Sequence, residues 1–465
     1  MILDPKDQKK SLVDYVVRAE VGKRVFDGLD KLFTFANSYL IISALSIFSF
    51  GFYQLILSFV SILRGFSVKF FDGLVAIDMR RYFNVGKRDF AKRLFLENVV
   101  FKLGIGIIVT VVVFLSAHLI ANLYGKDIIP LIRWASILLI INAVQSLMSI
   151  FLDSIVSFAQ RGLSALGEFL KLGIMLSFLT WSGELTILNV IMAHVLSEAV
   201  ATLIFTIIVL VKIYPKVFGN IKAHAENLMI KMVKTQGPRV LLIFSSKEVL
   251  NDATPWLVKF FVGTEGVAFY SFANTIINLA QDLIPMTALV PILALKADDL
   301  GGLSFIFKKV VKYTIWIGSL FLVGAFLVVS PAILIIFPKY YPAIPIFLAM
   351  AVVLPIYGAV KVVFKTLGAL REYGILAKRL FPELVILFAG SAIFMPLIGA
   401  TGIGLVYTIR YVERFWFLYT RLVKKYPSFK LKVRDFLKFD HFDKNFLARV
   451  FSHFLNLLKF GRGRA

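Results

Sequence analysis

Cysteine is absent from this chain of 465 residues. Disulfides, thiolate metal sites and thiol catalysis are thereby excluded. Histidine is scarce: His118, His194, His224, His441 and His453 are the five, in no metal-ligand spacing. Acidic side chains are few, 28 Asp and Glu against 52 Lys and Arg, which leaves a formal net charge of +24. No phosphate-cradling Gly-Lys loop, nucleophile elbow or dinucleotide fingerprint occurs, so nothing supports an ATP-driven pump. No connection between residues 36 and 422 is long enough for a separate enzymatic domain, and residues 1–35, charged throughout, hold no cleavable signal peptide.

What abounds is apolar. Hydrophobic residues make up 59% of the chain, and the mean hydropathy is +0.83. A span of the hydrocarbon core needs about 20 mostly apolar residues. The sequence predicts eleven: 36–64, 98–122, 128–152, 163–181, 186–212, 239–262, 266–293, 311–337, 342–365, 377–397 and 400–421. The fold class expected is therefore an all-α polytopic membrane protein. Every second connection is basic. Arg64 to Arg93, Lys216 to Lys234, Lys296 to Lys312 and Arg371 to Arg379 alternate with nearly bare turns such as Trp181–Glu184 and Gly263–Glu265. Lys and Arg concentrate on the cytoplasmic side. This assigns the excess charge to membrane orientation, with no nucleic-acid partner, and places the C-terminus in the cytoplasm.

The chain repeats itself. Lys92–Arg93, an apolar span, Leu123–Lys126 and a second span recur as Lys308–Lys309, a span, Ile336–Lys339 and a second span, offset by about 213–216 residues. An even number of spans separates the copies, so the repeats are parallel. The organisation expected is a charged interfacial segment 1–35, an N-lobe bundle 36–237, a C-lobe bundle 238–422 and a basic amphipathic tail 423–465. In the tail, Phe446, Leu447, Val450, Phe451, Phe454, Leu455 and Leu458 follow helical spacing, which fits a surface helix on anionic lipid, outside the bundle.

Charge inside a membrane span costs roughly 2.5–3.5 kcal/mol, so such residues mark candidate sites. Glu248, Asp252 and Lys259 share one helix face, with Lys247 beside them. Ion pairing within the bundle and a functional site are equally open readings there. Asn274, Asn278 and Gln281 form a polar strip beside Asp282, which suits either a lining or interhelical hydrogen bonds. His194 and Glu198 lie one turn apart. Arg410 and Arg414 share a face of the last span, Arg414 near its end. Guanidinium groups bind phosphate bidentately, so a cationic cavity suits a phosphate-bearing substrate.

With Val267–Ala268–Phe269–Tyr270–Ser271–Phe272–Ala273–Asn274 and Pro396–Leu397–Ile398–Gly399–Ala400–Thr401–Gly402–Ile403–Gly404, on long spans in two parallel lobes, the chain resembles the multidrug/oligosaccharidyl-lipid/polysaccharide (MOP) flippase superfamily over residues 36–425. It is most similar to the polysaccharide-biosynthesis or O-antigen flippase branch. The resemblance implies a twelve- or fourteen-helix non-enzymatic transporter with two lobes about a central cavity. It would move a lipid-linked oligosaccharide across the cytoplasmic membrane by alternating access, alongside other glycan-assembly proteins. Under that reading Lys247, Lys259, Arg410, Arg414, Asn274, Asn278 and Gln281 serve the substrate. Glu248, Asp252, Asp282, Glu198 and His194 serve coupling to Na+ or H+, with no other cofactor. Residues 15–35 stand where the family has its first helix and are too charged for one. The alternatives are a drug/cation antiporter of the same superfamily, a membrane-embedded glycan polymerase or ligase, which usually carries a large outer loop that this chain lacks, and a purely structural membrane subunit.

Overall fold

Apolar segments in lipid satisfy their backbone groups internally, and the described residues fold mainly into helices. A computed structural model describes residues 28–69, 71–122, 128–155, 160–234, 250, 252–284, 300–370, 372–437 and 443, and no strand occurs among them.

The span expected over 36–64 is two helices, α1 (28–44) and α2 (Ile47–Ser67). The break falls at Leu45–Ser46 because Ser46 is an N-cap, whose Oγ accepts the Ser49 N–H at 3.1 Å. Residues 28–35, expected in an interfacial segment, are the first turns of α1. Partners on α7 (Gln160–Ser182) satisfy its polar groups: Ser164 Oγ donates to Asp30 at 2.6 Å, and Asn37 Nδ2 donates to Glu168 Oε2 at 2.7 Å. Residues 1–27 lie outside the described residues.

The first basic connection contains α3 (Asp72–Asn84). Its apolar face, Val75 and Met79, joins Leu94, Phe95, Phe151 and Phe218 in a buried core. There follow α4 (Arg88–Leu115), α5 (Ala117–Asn122), α6 (Ile129–Ser154), α7 and α8 (Ile187–Ile208). Helix α8 runs through a π turn, Val209–Ile213, into α9 (Tyr214–Phe218). Further on come α10 (Thr254–Val262), α11 (Thr264–Leu283) and α12 (Leu300–Gly324). Helix α12 runs through a π turn, Ala325–Val329, into α13 (Ser330–Ile336). Each π turn stands just ahead of a proline, Pro215 or Pro331. A proline ring collides with the carbonyl four residues back, and the wider turn makes room for it. The chain ends in α14 (Ala343–Ala351), α15 (Leu354–Ala369), α16 (Tyr373–Lys378), α17 (Leu380–Ile398), α18 (Thr401–Lys425) and α19 (Val433–Leu437).

Seven helices among the described residues are long and apolar enough to cross a membrane, or eight if α14 and α15, bent by 47°, are one span. The shortfall from eleven has local causes. The stretch 239–262 is described only in part. Helix α11 carries Glu265 and Asp282, and α18 carries Arg410, Glu413, Arg414 and Arg421. The glycine-rich stretch after α17 is a tight turn: Gly399 has φ 62°, and a Cβ on Gly404 would stand 2.8 Å from the Ile346 carbonyl oxygen.

Contacts divide the chain into two compact units. Unit 1 holds Met1–Ile276, Val329–Met350 and Leu380–Tyr407; unit 2 holds Ile277–Val328, Ala351–Arg379 and Thr408–Ala465. Unit 2 closes on small residues: a Cβ on Gly318 of α12 would lie 2.1 Å from the Leu354 carbonyl oxygen. The described part of the tail belongs to this unit. Phe429 is buried against Phe307, ring centroids 5.2 Å apart. Asp443, fully buried, accepts Lys309 Nζ at 3.0 Å, Lys312 Nζ at 2.9 Å and the Tyr313 hydroxyl. The amphipathic stretch 446–458 lies outside the described residues.

Candidate functional site

Helix α2 carries Gln54, Ser58, Ser61 and Arg64 at spacings of four, three and three, one face of a helix. Asn142 and Gln145 on α6, and His194 and Glu198 on α8, meet that face within unit 1. With Asp252 and with Ser271 and Asn274 of α11 they border a cavity of about 390 Å³.

Arg64 is the pivot of the polar network. Its Nη1 donates to Asn142 Oδ1 at 3.2 Å and its Nη2 to Ser61 Oγ at 2.9 Å. Its Nε is buried without a hydrogen-bond partner, and no carboxylate among the described residues pairs with it. Ser61 Oγ donates in turn to Asp252 Oδ2 at 2.8 Å, so one hydroxyl links the cation to the carboxylate. On the facing wall, Gln145 Nε2 donates to Glu198 and, at 2.8 Å, to Thr202 Oγ1. His194 Nδ1 stands 3.5 Å from the Tyr53 hydroxyl. Behind them Lys171 is buried with its Nζ 3.8 Å from Glu168 Oε2, an ion pair of the kind that lets charge persist in an apolar bundle.

A second cavity, of about 470 Å³, shares Arg64, Asn142, Gln145 and Glu198 with the first and extends to Lys69, Asp72 and Ser164. These three residues flank the basic connections. The shared residues thus form a polar layer with one cavity on each side. Beside the second cavity Lys102 of α4, almost fully buried, donates to Asp72 and to Ser146. No group of three or more His, Asp or Glu side chains among the described residues is arranged to hold a metal ion.

Of the residues singled out from sequence, His194, Glu198, Asp252 and Asn274 come together at the first cavity. Lys259 does not line it; its Nζ stands 5.6 Å over the Trp256 ring. Glu248 and Lys247 lie outside the described residues. Asn278, Gln281 and Asp282 belong to unit 2, where Asn278 and Asp282 are exposed and Gln281 is buried. Arg410 is buried in unit 2, and the Arg414 guanidinium stands 4.6 Å over the Tyr411 ring. Arg64 was missed because it ends a span, where a basic residue reads as a loop charge. Its signal was the periodic polar face of α2.

No family model and no curated protein matches the chain. Solved structures do. A multidrug-resistance MATE transporter of the MOP superfamily, in an inward-facing conformation, matches with a TM-score of 0.66 at 14% identity, over 85% of this chain and 96% of that one. Lipid II flippase MurJ, in an inward closed conformation, matches with a TM-score of 0.68 at 14% identity, over 94% of this chain and 93% of that one. A MOP-superfamily transporter from Pyrococcus furiosus, described as having a binding pocket of reversed polarity, gives 0.59 at 12% identity, over 88% of this chain and 95% of that one. The chain is similar to these proteins along nearly its whole length, and its fold is the one that these solved structures share.

Proposed function

We propose that the chain is a flippase for a lipid-linked oligosaccharide, working by alternating access between two lobes, 36–237 and 238–422, in the cytoplasmic membrane with its C-terminus in the cytoplasm. The observation that carries this reading is Arg64. A guanidinium with no carboxylate partner among the described residues, set in the polar layer between two cavities, suits a passing phosphate or pyrophosphate. The neighbouring amides and hydroxyls of Gln54, Asn142, Gln145 and Asn274 suit sugar hydroxyls. One structural neighbour is a flippase for lipid II, which supports a lipid-linked substrate. Glu198 and Asp252 supply the carboxylates for Na+ or H+ coupling, with His194 beside Glu198.

The test is flipping of a fluorescent lipid-linked oligosaccharide in proteoliposomes. Arg64→Ala should reduce the rate by about 10²-fold, and Arg64→Lys should recover part of it, the scale of a lost charge-assisted pair. A drug/cation antiporter is the second reading, favoured by the two carboxylates at the same cavity. Uptake of a cationic dye that survives Arg64→Ala and fails in Glu198→Gln, with no flipping of the lipid, would establish that reading instead.

A further inference from the structure

We propose that the turn Pro338–Tyr340 is the outer gate of unit 1, with Lys339 as its latch and Tyr340 as its plug; the inference rests on the transporter reading above. Helix α1 stops at Leu45–Ser46, and its last carbonyls have no partner within the helix. Lys339 Nζ takes two backbone carbonyls at that break, Ser43 O at 3.1 Å and Leu45 O at 2.8 Å. A cation at a helix C-terminus also answers the helix dipole. The next residue, Tyr340, is fully buried. Its ring stacks on Phe272 at 4.5 Å and meets Phe50 at 5.9 Å and Phe269 at 6.2 Å edge to face. One residue beyond Phe50, α2 and α11 meet backbone to backbone: a Cβ on Gly51 would lie 2.1 Å from the Thr264 carbonyl oxygen.

All these contacts gather at one end of α2. Arg64 lies toward the other end, roughly 20 Å away at 1.5 Å per residue, and the first cavity begins at Gln54, about one turn from the closure. The closed end is also the end of the nearly bare connections, Gly263–Glu265 and Pro338–Pro342, which the charge pattern places outside.

Two features separate this closure from a permanent core. The Tyr340 hydroxyl is buried without a hydrogen-bond partner, so the ring is held by aromatic contacts and by Lys339, whose Nζ stands 5.7 Å over it, and the hydroxyl regains water when the plug leaves. The latch consists of a single ammonium on two carbonyls, all of which can be rehydrated. The gate therefore opens when Lys339 releases the end of α1 and Tyr340 withdraws from between α2 and α11.

The native chain has no cysteine, so access can be read at one introduced thiol. Leu57→Cys lines the first cavity. In intact cells an impermeant thiol reagent should label it slowly. Adding Lys339→Ala should speed labelling about tenfold, the population shift expected from losing a charge-assisted hydrogen bond. Adding Tyr340→Phe, which keeps the plug and removes its unpartnered hydroxyl, should slow it. Labelling reports access whatever the cargo, so its outcome is separate from that of the substrate assay. An unchanged rate with Lys339→Ala at normal membrane levels, or fast labelling of Leu57→Cys alone, overturns the gate.

Discussion

Helices α4 of unit 1 and α12 of unit 2 contain the repeated Lys92–Arg93 and Lys308–Lys309 pairs, and each buries a lysine. Lys102 and Lys312 are both 1% exposed. Their counter-charges come from unrelated places. Lys102 is met by Asp72, which starts the short helix α3 one element earlier and stays 26% exposed at the second cavity. Lys312 is met by Asp443, fully buried and 131 residues further on, which also takes Lys309 and the Tyr313 hydroxyl. Each of the two helices supplies one buried cation, though not at equivalent positions of the repeat. The anion was supplied once from a local helix and once from the tail. The half with the cavities thus keeps its carboxylate at a polar opening, and the half that includes the tail seals its carboxylate away.

The sealed pair should matter most to folding. Asp443→Asn removes a fully buried carboxylate from beside Lys312, itself buried, and Lys309. Breaking a buried pair costs about 3–5 kcal/mol. The melting temperature of the purified protein in detergent should fall sharply, and a chain ending at residue 437 should behave alike. A truncated chain that melts like the full one would break the comparison. Lys312→Met combined with Asp443→Asn should recover much of the loss, because an apolar residue of similar volume needs no counter-charge.

Asp72→Asn should cost less, about 1–3 kcal/mol, because the site is partly wet and Ser146 still accepts from Lys102. Its flipping rate should fall more than its stability does, since Asp72 borders the second cavity. Equal thermal losses for Asp72→Asn and Asp443→Asn would erase the distinction between the two units.

The smallest effect concerns pH. In unit 2 the Glu372 carboxyl is held below the ordinary glutamate range, first by a hydrogen bond from Lys425 and then by one from the Tyr426 hydroxyl at 2.8 Å. The unfolded chain binds this proton more readily than the folded one. The stabilisation is therefore complete above the unfolded value of about 4.3 and is lost as pH falls through the lower folded value. Glu372→Gln should lower stability slightly at pH 7, where the contribution is complete, and progressively less as pH falls, which flattens the acid limb of the profile. A shift of equal size at pH 7 and at pH 4 would remove the carboxylate from the account.

Part of the site could be read directly from residue spacing. His194 and Glu198 are one turn apart, and any helix must place them together. Asn274 and Asp252 were singled out as polar groups in apolar surroundings, and both reach the first cavity. Lys259 shares the helical face of Asp252, yet its ammonium stands over the Trp256 ring. By spacing the strip Asn274–Asn278–Gln281 suits either a lining or interhelical hydrogen bonds; in the structure α11 passes from unit 1 to unit 2 along it, with Asn274 at the first cavity and Asn278 exposed. Periodicity tells which residues share a face. It does not tell what that face meets.

By itself the sequence determined the helical character, the positions of most spans, the bare and basic connections, and the absence of thiol chemistry. These depend on local composition and on the need to satisfy every backbone group inside lipid. Only the tertiary structure decided that Arg64 stands between two cavities with Asn142 and Ser61, that Asp443 closes on Lys312, and that Lys339 reaches the end of α1 nearly 300 residues earlier in the chain. Those pairings join segments with no sequence relation, and burial in a common core selects them because a charge there must find a partner, water or a ligand.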